Sequence, residues 1–180
     1  DYDRSRELVI DPVLDYASYL GTGGDENAPA IAVDAAGNVY VTGRTTSNNL
    51  PLDGIIGSGG GNGDIYVAKF NADLSQLQWA TRIGGGQDEQ SKAIAVDGDG
   101  NVVVTGWTAS GNFPLLAAED SSMSGTQDAF LLKLDATGGM VFGTLFGGTG
   151  ATDSGNAVAV DAAGNIYVAG QASPTGIVSG

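Results

Sequence analysis

Fourteen residues, AIAVDAAGNVYVTG at 30–43, return as AIAVDGDGNVVVTG at 93–106 and as AVAVDAAGNIYVAG at 157–170. A repeat of this length means that one supersecondary unit is stacked several times, because a single unit cannot bury its own apolar faces. The period is 63 and then 64 residues at Asp34, Asp97 and Asp161. It is 63 from Pro51 to Pro114, and 64 both from Asp64 to Asp128 and from Lys69 to Lys133. The unit therefore extends well past the quoted block.

Four apolar segments make up the first full unit, at 30–34, 38–45, 64–71 and 77–86. Each is short, rich in β-branched and aromatic residues, and bounded by Gly, Asn, Asp or Ser, which predicts strands. Helical patterning is missing. The short connections predict a four-stranded antiparallel meander, with a glycine-rich excursion from 46 to 63 between the second and third strands. The segments are too apolar for a sheet with one wet face, so the sheets are expected to pack face to face. Alanines at 30, 32, 93, 95, 157 and 159 would allow close approach on one side, while Ile31, Val33, Ile94, Val96, Val158 and Val160 fill the other. Four-stranded sheets packed in this way predict an all-β fold of β-propeller-type blades.

The phasing divides the chain into a lead-in at 1–16, a first unit at 17–79, a second at 80–142 and a partial third at 143–180, all one incomplete propeller-type domain. Segment 17–26 aligns with 80–89 and 143–153, and so reads as a fourth strand without a blade of its own. The third copy stops after its second strand. Two full units are thus flanked by half units, and their open edges must be covered by a longer parent chain, by neighbouring copies, or by an open stack.

The motifs resemble the bacterial β-propeller repeat called SBBP, in which Asp-x-x-Gly-Asn-x-Tyr-x-x-Gly is followed by Phe-Pro and then Asp-x-Phe-x-x-Lys. The matching residues are 34-DAAGNVYVTG-43, 97-DGDGNVVVTG-106, 161-DAAGNIYVAG-170, 113-FP-114, 128-DAFLLK-133 and the variant 64-DIYVAK-69. The lead-in 4-RSRELVIDPVLDYASYLG-21 is similar to the segment that commonly introduces such repeats. NHL-type propeller repeats share the Val-Asp-x-x-Gly-Asn core. The resemblance implies a secreted or cell-surface bacterial protein, usually large and multidomain, with no common catalytic activity.

Charge narrows the partners. The chain has 180 residues with 21 acidic and 7 basic side chains, a net charge of −14. The basic residues are scattered, so binding to nucleic acid or to anionic lipid is not expected. No apolar run approaches the ~20 residues of a spanning helix, so membrane insertion is not expected either. The chain opens on Asp1 with no signal peptide in view, and reads as a processed product or an excised piece. With no His and no Cys, Ser–His triads, Cys–His dyads and histidine-ligated zinc cannot be assembled from it. Nucleotide-binding glycine signatures and the G-x-S-x-G elbow do not occur. No catalytic residue is assigned and no cofactor is required.

The repeated turn has two readings. Asp at its start accepts hydrogen bonds from amides a few residues on, and Gly37, Gly100 and Gly164 supply positive φ, which needs no ligand. Alternatively, Asp97, Asp99 and Asn101 form D-x-D-x-N, an alternating oxygen pattern able to wrap Ca2+. The other copies carry Ala36 and Ala163 in place of Asp99, and Val102 and Thr108 break the EF-hand pattern. Asp25/Glu26 and Asp88/Glu89 follow glycine-rich strand ends and read as structural groups at blade-to-blade connections. Lys69 and Lys133 are expected to pair with a carboxylate or to lay their stems over the sheet. Trp107, standing where the other copies have Arg44 and Gln171, is a candidate sugar-stacking platform.

Three functional readings follow. The first is a non-catalytic structural or interaction module, acting as scaffold, adhesive surface or self-assembling subunit through open blade edges. The second is a propeller that binds cell-surface glycans through Trp107 or calcium through the Asp97 turn. The third is a fragment of a propeller enzyme whose reactive residues lie outside this chain.

Overall fold

The computed structural model describes residues 21, 23–47, 50–58, 60–150 and 152–172. The lead-in, half of the segment read as an orphan fourth strand, and 173–180 lie outside the described residues. Eleven strands are described, in three sheets with no helix among them.

The first sheet contains β1 (Glu26–Val33), β2 (Val39–Thr45), β3 (Gly54–Gly57), β4 (Asp64–Phe70) and β5 (Leu77–Gly84), in the order β1-β2-β4-β5-β3. The second is a plain meander of β6 (Glu89–Val96), β7 (Val102–Thr108), β8 (Asp128–Leu134) and β9 (Met140–Phe146). The third contains β10 (Ser154–Val160) and β11 (Ile166–Gln171). All neighbours are antiparallel except β3, which runs parallel to β5 at the outer edge. The propeller-type blade is therefore present, with one correction to the sequence reading. The glycine-rich excursion of the first blade folds part of itself into a fifth strand, β3.

Register repeats as strictly as sequence. Each first strand carries one irregularity in its pairing, between Asn27 and Ala30, Ser91 and Ala93, and Gly155 and Ala157. Alternation along β4 sends Ile65 and Val67 to one face and Tyr66, Ala68 and Phe70 to the other. The first face joins Tyr40, Trp79 and Ile83 against Ile94, Val102, Val104, Phe130, Leu132 and Leu134 of the second blade. Ala30 and Ala32 lie against the same cluster, as small residues at a close sheet-to-sheet contact should. Enclosing a side chain such as Phe130 or Leu132 is worth roughly 1.5–3 kcal/mol over leaving it in water. Most of the core is thus the joint between blades rather than the interior of any one of them. Hydrogen bonds reinforce it: Trp79 Nε1 donates to Ala136 O (2.9 Å) and Thr81 Oγ1 to Gly138 O (3.1 Å).

Candidate interaction surfaces

Two features recur along the array and a third marks its ends, and each is a place where chemistry could reside. The first is the turn. Asp97 Oδ1 accepts from the amides of Asp99 (3.0 Å) and Asn101 (2.9 Å), and its Oδ2 accepts from Asn101 Nδ2 (2.8 Å). Asp34 and Asp161 hold the same three bonds, the amide donors being Ala36 and Asn38 in one copy and Ala163 and Asn165 in the other. Gly37, Gly100 and Gly164 have φ of 86°, 79° and 84°, which a Cβ would strain.

The fourth bond varies. Tyr40 and Tyr167 donate their hydroxyls to Asp34 Oδ2 (3.1 Å) and Asp161 Oδ2 (3.0 Å). In the second blade Val103 replaces the tyrosine, and Lys133 Nζ reaches Asp97 Oδ2 at 2.9 Å. In the first blade the equivalent Lys69 sits 5.1 Å above the Tyr40 ring. Burial opposes ionisation of Asp97, yet the Asn101 side chain, Lys133 and the two amides outweigh it and bring its pKa down to about 2. A cation at Asp97, Asp99 and Asn101 would have to displace the Lys133 ammonium. Asp99 is exposed and turns its backbone amide, rather than a carboxylate oxygen, toward Asp97. Among the described residues no group of three or more carboxylates is placed to hold a metal ion.

The second feature is the joint itself. Glu89, fully buried, accepts from Thr108 Oγ1 (2.8 Å) and the Gly85 amide (3.0 Å). Asp64 of the preceding blade is also buried, and its Oδ1 has no donor. Both carboxyls converge on Gly84: a Cβ there would collide with Asp64 Oδ1 and stand 2.7 Å from Glu89 Oε2. Burial pushes both groups up in pKa, against the opposing pull of Arg82 on Asp64 and of the hydroxyl and amide donors on Glu89. Arg82 Nε stands 3.6 Å from Asp64 Oδ2, and Arg44 spans to Asp88 at 2.9 Å just outside. The next joint repeats the arrangement, with Asp128 and Asp153 both beside Gly147. Glu89 was legible as a joint residue. Its partner was not, although Asp64/Asp128 and Glu89/Asp153 share the 64-residue spacing.

The third feature is the pair of open faces. Ile31 and Val33 on β1 are 66% and 60% exposed, whereas Ile94, in the equivalent place on β6, is 8% exposed and packs on the first blade. At the other end Ala157 and Ala159, equivalents of the packed Ala30 and Ala32, are exposed, and Tyr167 is 58% exposed where Tyr40 is enclosed. The two ends are the two halves of the internal joint. Trp107 lies half-buried on β7, in register with Gln90 and Ala129.

Comparison with known proteins agrees with this geometry. The chain is 27% identical over 158 residues to an uncharacterised WD repeat-containing protein of Acanthamoeba polyphaga mimivirus; the match takes in 78% of this chain. The chain spans 11% of that relative's length. The family model described as a β-propeller repeat, SBBP, matches three times, at residues 15–51, 78–114 and 141–173. Three matches in register with the three blades, over more than half of the chain, make it a member of the SBBP β-propeller repeat family.

Proposed function

We propose that this chain is a non-catalytic interaction module, an array of propeller blades that associates with other protein through its open sheet faces. The observation that carries the reading is the contrast between Ile31 at 66% exposure and Ile94 at 8%, the same residue type on equivalent strands with and, among the described residues, without a neighbouring sheet. Contiguous apolar surface of this kind marks association sites. The likeness to a WD repeat-containing protein and the membership of a repeat family point the same way. In this reading the work of the chain is scaffolding, adhesion or self-assembly outside the bacterial cell or on its surface, a location that rests on the resemblance of the repeats. Size-exclusion chromatography with light scattering tests it. The expected result is a concentration-dependent increase in mass that Ile31→Ser with Val33→Ser abolishes. A monomer at all concentrations, with no partner gained or lost by that substitution, overturns it.

A further inference from the structure

The sequence contains a single Asn-Gly step, Asn62–Gly63, and it lies where the glycine-rich excursion of the first blade enters β4. Asn62 is exposed and Gly63 is buried. Glycine is required at 63, because the Arg44 guanidinium occupies the space that a Cβ would need. The same guanidinium donates from Nη2 to the Asn62 carbonyl (3.2 Å) and to Asp88 Oδ1 (2.9 Å). Gly63 itself spans the first joint: it bridges Asp88, and its carbonyl accepts from the Glu89 amide at 2.9 Å. The second joint repeats that bond, from the Asp153 amide to Gln127 O at 2.9 Å. There, however, Thr126–Gln127 stands in place of Asn-Gly and Trp107 in place of Arg44.

Asparagine followed by glycine is the step most open to ring closure, because no Cβ hinders the approach of the next main-chain nitrogen to Cγ. The turn asparagines are held back from it. Asn38, Asn101 and Asn165 precede β-branched residues and bond their Nδ2 to an aspartate. Asn62 is exposed and precedes glycine. The Gly63 nitrogen attacks as the anion, so loss of its proton controls the rate. That anion shares its charge with the Asn62 carbonyl oxygen, and a guanidinium on this oxygen favours it.

We infer that Asn62–Gly63 is a self-modification site, where Arg44 promotes spontaneous deamidation. The Gly63 nitrogen bonds to Asn62 Cγ, the Cγ–Nδ2 bond breaks, and the side-chain nitrogen leaves as ammonia with the proton that Gly63 gave up. Water then opens the cyclic imide at either carbonyl and leaves a carboxylic acid on residue 62. Opening at Cγ gives aspartate. Opening at the main-chain carbonyl gives isoaspartate, whose main chain is one carbon longer. The new carboxylate competes with Asp88 for Arg44, and the longer chain pulls Gly63 O away from the Glu89 amide. The modified first joint is looser than the original, and the second joint is spared. The site does not involve the open faces, so it stands whether or not the chain associates.

The test is incubation of the full chain in mildly alkaline buffer, followed by tandem mass spectrometry of its tryptic peptides. Exchange of NH for O should accumulate at Asn62 at least several-fold faster than at Asn38, Asn101 or Asn165. Arg44→Gln should slow it several-fold, while Arg44→Lys, which keeps the charge, should restore most of the rate. Amide hydrogen exchange in the aged chain should speed up at Glu89 and stay unchanged at Asp153. Asn62→Asp, which adds the charge without lengthening the chain, should disturb the Glu89 amide less. No exchange of NH for O at Asn62 overturns the site. A rate that Arg44→Gln leaves unchanged, and that a free peptide of residues 45–69 matches, overturns its promotion by the fold.

Discussion

The acids of the turn and the acids of the joint recur with the same period but do opposite things. Asp97 sits near the surface with four donors around it, so its charge is the favourable state. Asp64 and Glu89 are buried, and burial outweighs the donors they do have, so both carboxyls are pushed up from their ordinary range. Burial alone does not decide what a carboxylate contributes; the supply of hydrogen-bond donors does. The turn acids fix the local chain path, whereas each joint acid gains its partner only from the next sheet.

The widest separation between the two regions is expected from an added methyl group. Gly84→Ala pushes a carbon onto Asp64 and should cost about 3 kcal/mol. Gly98→Ala, in a turn where no atom lies within 4 Å of the new carbon, should change the urea midpoint little or raise it slightly. Equal effects would dissolve the contrast.

Next comes loss of the acids. Glu89→Ala strands the Thr108 hydroxyl and the Gly85 amide in the interior, a loss of roughly 2–3 kcal/mol. Asp97→Ala frees donors that water can reach and should cost about 1–2 kcal/mol. Asp161→Ala, more exposed, should cost less than Asp97→Ala by the same denaturation assay.

The two regions also predict opposite limbs of a pH profile. Burial raises the Glu89 carboxyl on folding from its ordinary value of 4.5, so its contribution is complete below that pH and fades as pH rises through the folded value. Asp97 is lowered from 3.8 to about 2, so its contribution is complete above 3.8 and fades as pH falls toward 2. Denaturation midpoints from pH 2 to 8 should therefore fall away on both sides. Glu89→Gln should flatten the alkaline limb and Asp97→Asn the acid one; a swapped assignment would refute the comparison. Arg82 and Arg44 face the joint pair, and their retained charge limits how far the alkaline limb drops.

The smallest effects belong to the ion pair on the turn. Lys133→Met should cost about 0.5 kcal/mol and lose its dependence on salt. Because Lys133 holds the carboxylate, millimolar calcium should leave the melting temperature of the unmodified chain unchanged. A calcium-dependent rise would return a metal role to Asp97, Asp99 and Asn101.

How much of this was legible in the sequence follows from the range of each interaction. The strands and turns were, because alternation and Asp-x-x-Gly-Asn are local signals. Face-to-face packing was also legible, from alanines on one parity and β-branched residues on the other, but the exposure of Ile31 and Val33 was not, because those residues are expected to fill a joint. The fifth strand was hidden, because 54-GIIG-57 in a glycine-rich excursion pairs with residues nearly thirty positions away. The Asp64–Glu89 pair joins two segments across a sheet boundary, and no local pattern announces that. The exchange of Tyr40 for Val103 carried a readable clue, since losing the phenol is what lets the following strand's lysine reach the aspartate.

The acid pairing at Gly84 and Gly147 bears on how such arrays change length. Every seam takes one carboxyl from the sheet before and one from the sheet after, so any sheet can follow any other. Excising residues 85–148 would bring Asp64 to face Asp153, another acid couple. Recombination in whole periods would thus preserve the seams, and the shortened chain should still unfold cooperatively, with a denaturant slope reduced in step with its size.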